Sequence, residues 1–452
     1  MVQMTGAEYA ALVREAIETA PPAPFRRETV IRALPEPARF NLVHIITGMR
    51  RCGKTFYLFQ LMNDLLQAGV PANRMFYFDF SDARLQPTDS DTLLSVVEEY
   101  WRVVPEARQE GCYLFLDEVQ ECDGWQGSCQ RLAEHETVTL VITGSSSKVS
   151  SHGIATNFRG RAHVHEMWPL SFREFCTFRN IPLPEHGQDS FSPKMQNRYE
   201  AAYDEYLIVG GFPAVQNSLT GDRIELLQGY VRDVVARDVA ERMGREDIAL
   251  ATQLAIFGLR NTGCDLSINE LVSQLGEADK TAYWKKVNRL MELFGEAYLL
   301  HYLPEYSTVL KPGAKANKKV YAEDPGLAYA VSRANQQDVG KRLETAIYLE
   351  LRRRCAGKRT EAITSLNVPN PQILKVDFLV GDALAAEPYA LYQVTATMEA
   401  PKTRKREIGS LEAGMRYAKL DEGTIITLRE QGAIASKEGT IRAVPAWQWS
   451  LT

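Results

Sequence analysis

What this chain lacks narrows its possible functions before any motif is read. Its seven cysteines are scattered without a C-x-x-C pair, so neither a disulfide framework nor a zinc site is indicated. No apolar run approaches the ~20 residues needed to cross a bilayer, so no membrane partner is expected. The opening Met1-Val-Gln-Met-Thr-Gly-Ala-Glu8 lacks the basic-then-apolar layout of a signal peptide, and cytoplasmic residence is the expectation. Positive charge is not in surplus: 52 Lys and Arg stand against 57 Asp and Glu, a net charge of −5. That balance argues against coating nucleic acid by bulk electrostatics, although local basic surfaces remain open. Histidine is scarce, seven in all. His163 and His165 share one face of an expected strand, but no Cys, Asp or third His completes a metal set, so surface or packing roles are expected. The 452 residues, 45% of them hydrophobic, are too many for one compact core and predict two or three domains.

The chain is organised around Gly48-Met-Arg-Arg-Cys-Gly53-Lys54-Thr55. This fits G-x-x-x-x-G-K-[ST], whose backbone N–H groups cradle phosphates. Its required context is legible. Leu42 to Thr47 is a short apolar, β-branched run, and the segment from Thr55 to Leu66 has apolar residues at helical spacing. Gly48 and Gly53 permit the backbone angles that aim successive N–H groups at one point, and that point sits at a helix N-terminus that favours anions. The expected nucleotide-binding set is Gly48, Met49, Arg50, Arg51, Cys52, Gly53, Lys54, Thr55 and Phe56. Lys54 reaches the β- and γ-phosphates and the Thr55 hydroxyl ligates Mg²⁺ in such loops. ATP with Mg²⁺ is therefore the expected cofactor pair.

An apolar strand, Cys112 to Leu116, ends in Asp117-Glu118, the companion such a loop requires. Asp117 is expected to hold Mg²⁺ and Glu118 to orient and activate the attacking water. Another strand, Val138 to Thr143, closes in Gly144-Ser145-Ser146-Ser147. Hydroxyls at the carboxyl end of a parallel strand sit where ligands bind, so Thr143 or Ser145 is a candidate to sense the γ-phosphate or position the water. Strands alternating with helices predict an α/β fold with a doubly wound, largely parallel sheet. Arg26 and Arg27, before the first strand, could contact nucleotide but read first as a solvated pair.

These motifs occur together with Leu116-Asp-Glu-Val-Gln120, Thr143-Gly-Ser-Ser146, Gly160-Arg161, Pro169-Leu-Ser-Phe-Arg-Glu-Phe175 and Gly210-Gly-Phe-Pro213. The set resembles prokaryotic AAA-type P-loop ATPases in which the ATPase domain is joined to a winged helix and a nuclease-like C-terminal domain. The resemblance implies a division into a lead-in (1–40), an AAA-type ATPase core (41–193), a helical lid (194–246), a winged-helix module (247–335) and a restriction-endonuclease-like domain (336–452). It also implies that Arg161 contacts the γ-phosphate, in its own subunit or a neighbour's, with Arg159 as a rival.

Ser267-Ile-Asn-Glu270 is a capping box opening the first helix of the winged module. A second helix, Lys280 to Phe294, is expected to bury Tyr283, Val287, Leu290 and Met291 and to present Lys280, Lys285, Lys286 and Arg289. A wing from Ala297–Leu303 and Lys318–Tyr321 would carry Lys311, Lys315, Lys318 and Lys319. That geometry places a helix in a DNA major groove, but residues 267–320 hold a surplus of only two positive charges, so DNA and a protein partner both stay open. In the last domain Glu344, Asp377 and Gln393 fall where restriction-endonuclease-like folds carry Mg²⁺ ligands. The lysine expected two residues after Gln393 is Thr395. One carboxylate beside an amide is a poor cage for a hard cation, so a scaffold that no longer cuts is expected unless Lys375 or Lys402 substitutes. The whole reads as a Mg²⁺-dependent ATPase acting on DNA or nucleoprotein, or alternatively as an ATP-dependent switch on a protein partner.

Overall fold

The structure is a computed structural model describing residues 6–19, 21–22, 25–144, 158, 160–185, 187–188, 190–275, 280–306, 318–358, 360–369, 374–382 and 384–452. Ser145, Arg159, Lys311 and Lys315 lie outside the described residues. Among the described residues no helix is long and apolar enough to cross a membrane. The chain forms two compact units, Met1–Trp168 and Pro169–Thr452.

In the first unit five strands, β1 (Val43–Thr47), β2 (Met75–Asp79), β3 (Cys112–Asp117), β4 (Val138–Thr143) and β5 (Ala162–Glu166), form one sheet in the order β2-β3-β4-β1-β5. Every pairing is parallel. This is the P-loop NTPase arrangement of a parallel sheet with helices. β1, β3 and β4 are buried along their whole length, which is why they read as unbroken apolar runs. Side chains still alternate between faces. Leu114 and Leu116 join Val96, Tyr100 and Trp125 in one core, whereas Tyr113 and Phe115 join Tyr57, Leu58 and Leu61 of the Lys54–Gln67 helix in the other. The register aligns Asp79 with Asp117 and Ile46 with Thr143, so the polar strand ends gather at one edge. The unit ends at Trp168, short of residue 193.

The second unit begins with helices Phe172–Phe178, Pro193–Val209 and Thr220–Asp233, the last continuing as a π-helical turn over Val234–Val239. Ser171 and Glu174 form a reciprocal capping box at the first of these. The Gly210-Gly211 pair is explained by close packing. A Cβ on Gly211 would lie 2.3 Å from the Leu170 carbonyl oxygen, and the Gly211 N–H donates to Asp324 at 2.6 Å. Burial pushes the Asp324 carboxyl up to about 6.

Helices Ile248–Arg260, Ile268–Leu275 and Lys280–Glu296 are followed by the expected hairpin, β7 (Leu300–Leu303) and β8 (Lys318–Ala322). A further strand, β6 (Cys264–Leu266), pairs with β8 to give the antiparallel sheet β6-β8-β7. Its three residues were too few to register as a strand in sequence. Val287, Leu290 and Met291 are buried, whereas Tyr283 is only half-buried.

The Val339–Cys355 helix then leads into a six-stranded mixed sheet. Its strands are β9 (Glu361–Val368), β10 (Leu374–Asp382), β11 (Glu387–Val394), β12 (Glu422–Thr427), β13 (Gly432–Ser436) and β14 (Gly439–Pro445), in the order β13-β14-β12-β11-β10-β9. The Pro401–Ala418 helix contributes Leu411, Ala413 and Met415 to its core.

Candidate nucleotide-binding site

The loop leaving β1 is shaped by close approach. Gly48 adopts φ +147°, and a Cβ there would lie 2.1 Å from the Met167 carbonyl oxygen. Gly53, at φ +109°, immediately precedes the Lys54–Gln67 helix. Arg51 takes φ +69° without being glycine, a strained value that marks a loop held from outside. Met49 and Cys52 are fully buried and anchor it, while Phe56 projects from the first helical turn, more than half exposed. Lys54 is buried, and its ammonium donates to the Gly48 and Met49 carbonyls at 3.1 and 3.3 Å.

Arg27 is part of this loop's support, contrary to the reading of a solvated pair. It is 8% exposed, and its guanidinium donates to the Cys52 and Trp168 carbonyls, both at 2.8 Å. Arg26 pairs with Asp64 at 2.6 Å and remains outside.

Asp117 lies at the carboxyl end of β3 and is almost fully buried. It accepts from the Thr55 hydroxyl at 2.7 Å, from the Tyr77 hydroxyl at 3.1 Å and from the Thr143 hydroxyl. Burial raises its carboxyl above the ordinary value, opposed by the Thr143 and Thr55 hydrogen bonds. Burial, aided by the Asp117 charge, likewise raises the Tyr77 phenol, so Tyr77 stays a donor. Thr143 also accepts from the Glu118 N–H at 3.1 Å and so ties the two acidic residues together. Glu118 has φ +50°, and its carboxylate accepts from Gln120. The sequence offers Thr143 as a γ-phosphate sensor or a water-positioning hydroxyl, not as the tie between Asp117 and Glu118, and it gives Tyr77 and Gln120 no role. Gln120 lies within Leu116-Asp-Glu-Val-Gln120, and that motif is the signal the sequence holds for it.

Arg161 does not join this constellation in its own chain. β5 runs parallel to β1 with Ala162 opposite Val43 and Glu166 opposite Thr47. Arg161 therefore sits at the amino ends of the strands, about 16 Å from the loop at ~3.3 Å per residue. There it pairs with Glu134 at 2.6 Å and lies over Phe40. Of the two alternatives open for Arg161, a γ-phosphate contact within its own subunit does not fit this position.

The histidine expectation is also corrected, because β1 supplies a third member. His44 pairs in register with His163, and its Nδ1 lies 3.1 Å from Nε2 of His165. The three are the set among the described residues whose ring nitrogens converge. Burial, with His163 nearby, pushes His44 down to about 4 and His165 to about 3.

Residues 41–176 match the family model described as an AAA domain. The chain carries an AAA-type P-loop domain. Beyond that domain, residues 200–338 match a family described only as a domain of unknown function. An uncharacterized protein of Methanocaldococcus jannaschii is 29% identical over 435 residues, covering 94% of this chain and 91% of that one. An uncharacterized protein of Haemophilus influenzae is 27% identical over 329 residues, covering 73% and 78%. Among solved structures, the Aeropyrum pernix ORC2 protein in ADPNP-ADP complexes aligns with TM-score 0.34 and 13% identity over 73% of this chain and 93% of that one. AMPPCP-bound DnaA of Aquifex aeolicus aligns with TM-score 0.25 and 14% identity over 66% and 84%. These superpositions are loose, and the site described here rests on the AAA domain's own strand order and contacts.

The other acidic cluster lies in the second unit. Glu344, Asp377 and Gln393 do converge, but a lysine from β8 joins them. The Lys319 ammonium lies 3.0 Å from Glu344 and 2.9 Å from Asp377. Lys319 was expected outward on the wing, yet its side chain is only 11% exposed. The neighbouring donors are also committed. Asp377 Oδ2 accepts from the Val394 N–H at 3.0 Å, Gln393 Oε1 faces the Asp377 N–H at 3.3 Å, and Gln393 Nε2 donates to Glu407 at 2.8 Å. A donor set already holding an ammonium between its two carboxylates does not fit a divalent cation beside it. Lys375 pairs instead with Asp265 at 2.5 Å, half exposed and outside the cluster.

Proposed function

We propose that this protein binds ATP with Mg²⁺ at the Gly48–Thr55 loop and hydrolyses it. The observation that carries this reading is the Thr55 hydroxyl 2.7 Å from the Asp117 carboxylate, which puts two oxygen ligands of the expected kind at the mouth of the loop. Thr55 and Asp117 would hold Mg²⁺, which neutralises charge on the phosphates when bound. Lys54 leaves the loop carbonyls for phosphate oxygens, and the loop N–H groups take the bridging phosphate at the helix N-terminus. Glu118 takes a proton from the attacking water, while Gln120 and the Thr143 contact fix its direction. A pure binding module has no use for Glu118, which favours turnover. Arg161, at the far end of β5, acts on nucleotide only if it is offered to a neighbouring copy.

Movement driven by hydrolysis is passed to the second unit and engages DNA or nucleoprotein through the winged module. A specific observation supports the second reading, a switch acting on a protein partner. Three cations expected to face DNA are committed elsewhere: Lys286 to Asp247 at 2.8 Å, Arg289 to Glu292 and Glu296, and Lys319 to the acidic cluster. Steady-state ATP hydrolysis with and without duplex and single-stranded DNA separates the two. Several-fold stimulation supports DNA coupling, whereas a DNA-indifferent rate supports the switch. No ATP turnover under either condition contradicts the enzyme.

A further inference from the structure

The C-terminal sheet and the helix before it bring together two carboxylates that the sequence resemblance would give to a divalent cation, yet the structure spends them on a protein cation. Glu344 comes from the Val339–Cys355 helix, Asp377 from β10 and Gln393 from β11. Lys319 comes from β8, the central strand of the winged-helix sheet, 25 residues before Glu344 and 58 before Asp377.

Lys319 and Tyr321 share one face of β8, and both are aimed at the same carboxylate. The Tyr321 hydroxyl donates to Glu344 Oε1 at 2.6 Å. One turn further along the helix, Tyr348 stacks on Tyr321 with ring centroids 4.2 Å apart. Thr262 and Thr345 share a hydrogen bond at 2.7 Å, and Asp265 on β6 pairs with Lys375 on β10. Four residues of the winged sheet and its approach, Thr262, Asp265, Lys319 and Tyr321, thus meet the Val339–Cys355 helix and β10 around the acidic pair.

Charge follows the same plan. Burial alone would lower the Lys319 ammonium, but Asp377 and Glu344 together more than offset it and raise it. Glu344 is itself raised by burial and by the Asp377 charge.

We propose that Lys319 is a built-in replacement for the divalent cation, so that the Glu344–Asp377 pair is a lock between the winged sheet and the C-terminal sheet rather than a metal centre. One ammonium at 3.0 and 2.9 Å from two carboxylates supplies the countercharge that a metal would supply, and it comes from a neighbouring module. The lock holds independently of the ATP reading, because all of its residues belong to the second unit and the nucleotide loop to the first.

The test uses the full chain with Asp117→Asn, which removes the carboxylate ligand of the nucleotide site, and follows Mn²⁺ binding by electron paramagnetic resonance without nucleotide. With Lys319 in place, no Mn²⁺ binding should depend on Asp377. Lys319→Met, judged folded by a cooperative melt, should melt at lower temperature. It should also bind one Mn²⁺ at least tenfold more tightly than the Lys319 chain, with Mn²⁺ restoring part of the lost melting temperature. Adding Asp377→Asn should abolish that binding. A folded Lys319→Met chain that gains no Mn²⁺ affinity overturns the proposal. Should Lys319→Met fail to fold, Asp377→Asn in the Lys319 chain decides: unchanged Mn²⁺ binding supports the lock, and loss of a bound Mn²⁺ refutes it. DNA cleavage by the wild-type chain that disappears in both Asp377→Ala and Lys319→Met would also refute it, because Lys319 would then serve an active metal centre.

Discussion

Replacing Gly48 by alanine tests the loop geometry sharply, because two separable penalties fall on one methyl group. The first is conformational: at φ +147° a side chain costs about 1 kcal/mol. The second is steric: the new Cβ would lie 2.1 Å from the Met167 carbonyl oxygen and 3.2 Å from Cys52 Sγ. That carbonyl cannot easily retreat, since the Met167 N–H is itself bonded to the Thr47 carbonyl at 2.8 Å. The loop must therefore move by roughly 1 Å, an overpacking penalty of about 2 kcal/mol. Together these predict about 3 kcal/mol of destabilisation, or roughly 6–12 °C for a unit of this size. A misplacement of ~1 Å also costs on the order of 100-fold in a precisely aligned site, so affinity for a fluorescent ATP analogue should fall by about that factor. Gly69→Ala is the control: it also has positive φ (+90°) but no atom within 4 Å of the new Cβ, so it should cost only ~1 kcal/mol and leave nucleotide binding intact. If Gly48→Ala binds ATP within threefold of wild type at an unchanged melting temperature, the reasoning from this loop geometry is wrong.

Three further outcomes follow from the same site. Asp117 is held above its unfolded carboxyl value by burial, so its ionised form is a cost to the folded state at neutral pH. Asp117→Asn should therefore melt higher than wild type at pH 7 while losing Mg²⁺-dependent ATP binding, and a lower melting temperature would contradict this. Arg27→Met leaves the Cys52 and Trp168 carbonyls without their donors, which at roughly 1.5–3 kcal/mol per charged hydrogen bond should lower calorimetric stability by about 3 kcal/mol or more. His44 and His165 sit at about 4 and about 3, below their unfolded values near 6.5. The unfolded chain therefore takes up these protons first. Stability is complete above pH 6.5 and is lost as pH falls towards 4, at up to about 2.7 kcal/mol per pH unit for the two groups. Melting curves from pH 7.5 to 5 should show the fall, and His44→Gln should roughly halve it; a flat profile would contradict the burial of these rings.

The nucleotide loop and its acidic partners were legible because each is local: a glycine spacing, an apolar strand and two carboxylates at its end. The parallel sheet followed from the alternation of strands and helices. Arg27 was missed because its partners are carbonyls 25 and 141 residues away, and backbone acceptors leave no trace in sequence. Lys319 was missed for a related reason. Its position in β8 suggested an outward wing residue, and only the packing of two sheets shows that the same strand face is buried against Glu344 and Asp377. Arg161 carried a motif but no depth; its place at the amino end of β5 emerges once that strand is known to run parallel to β1. The third histidine, His44, was hidden because it lies 121 residues from His165.

The most direct measurement is ATP hydrolysis by Glu118→Gln beside wild type, with ATP affinity measured on the same samples. Removing a positioned general base costs on the order of 10²–10⁴ in rate, while the loop, Lys54, Thr55 and Asp117 are untouched. Turnover should therefore fall at least 100-fold, with the ATP dissociation constant within about threefold of wild type. Equal turnover by the two proteins would contradict the account of this site as the centre of an ATPase.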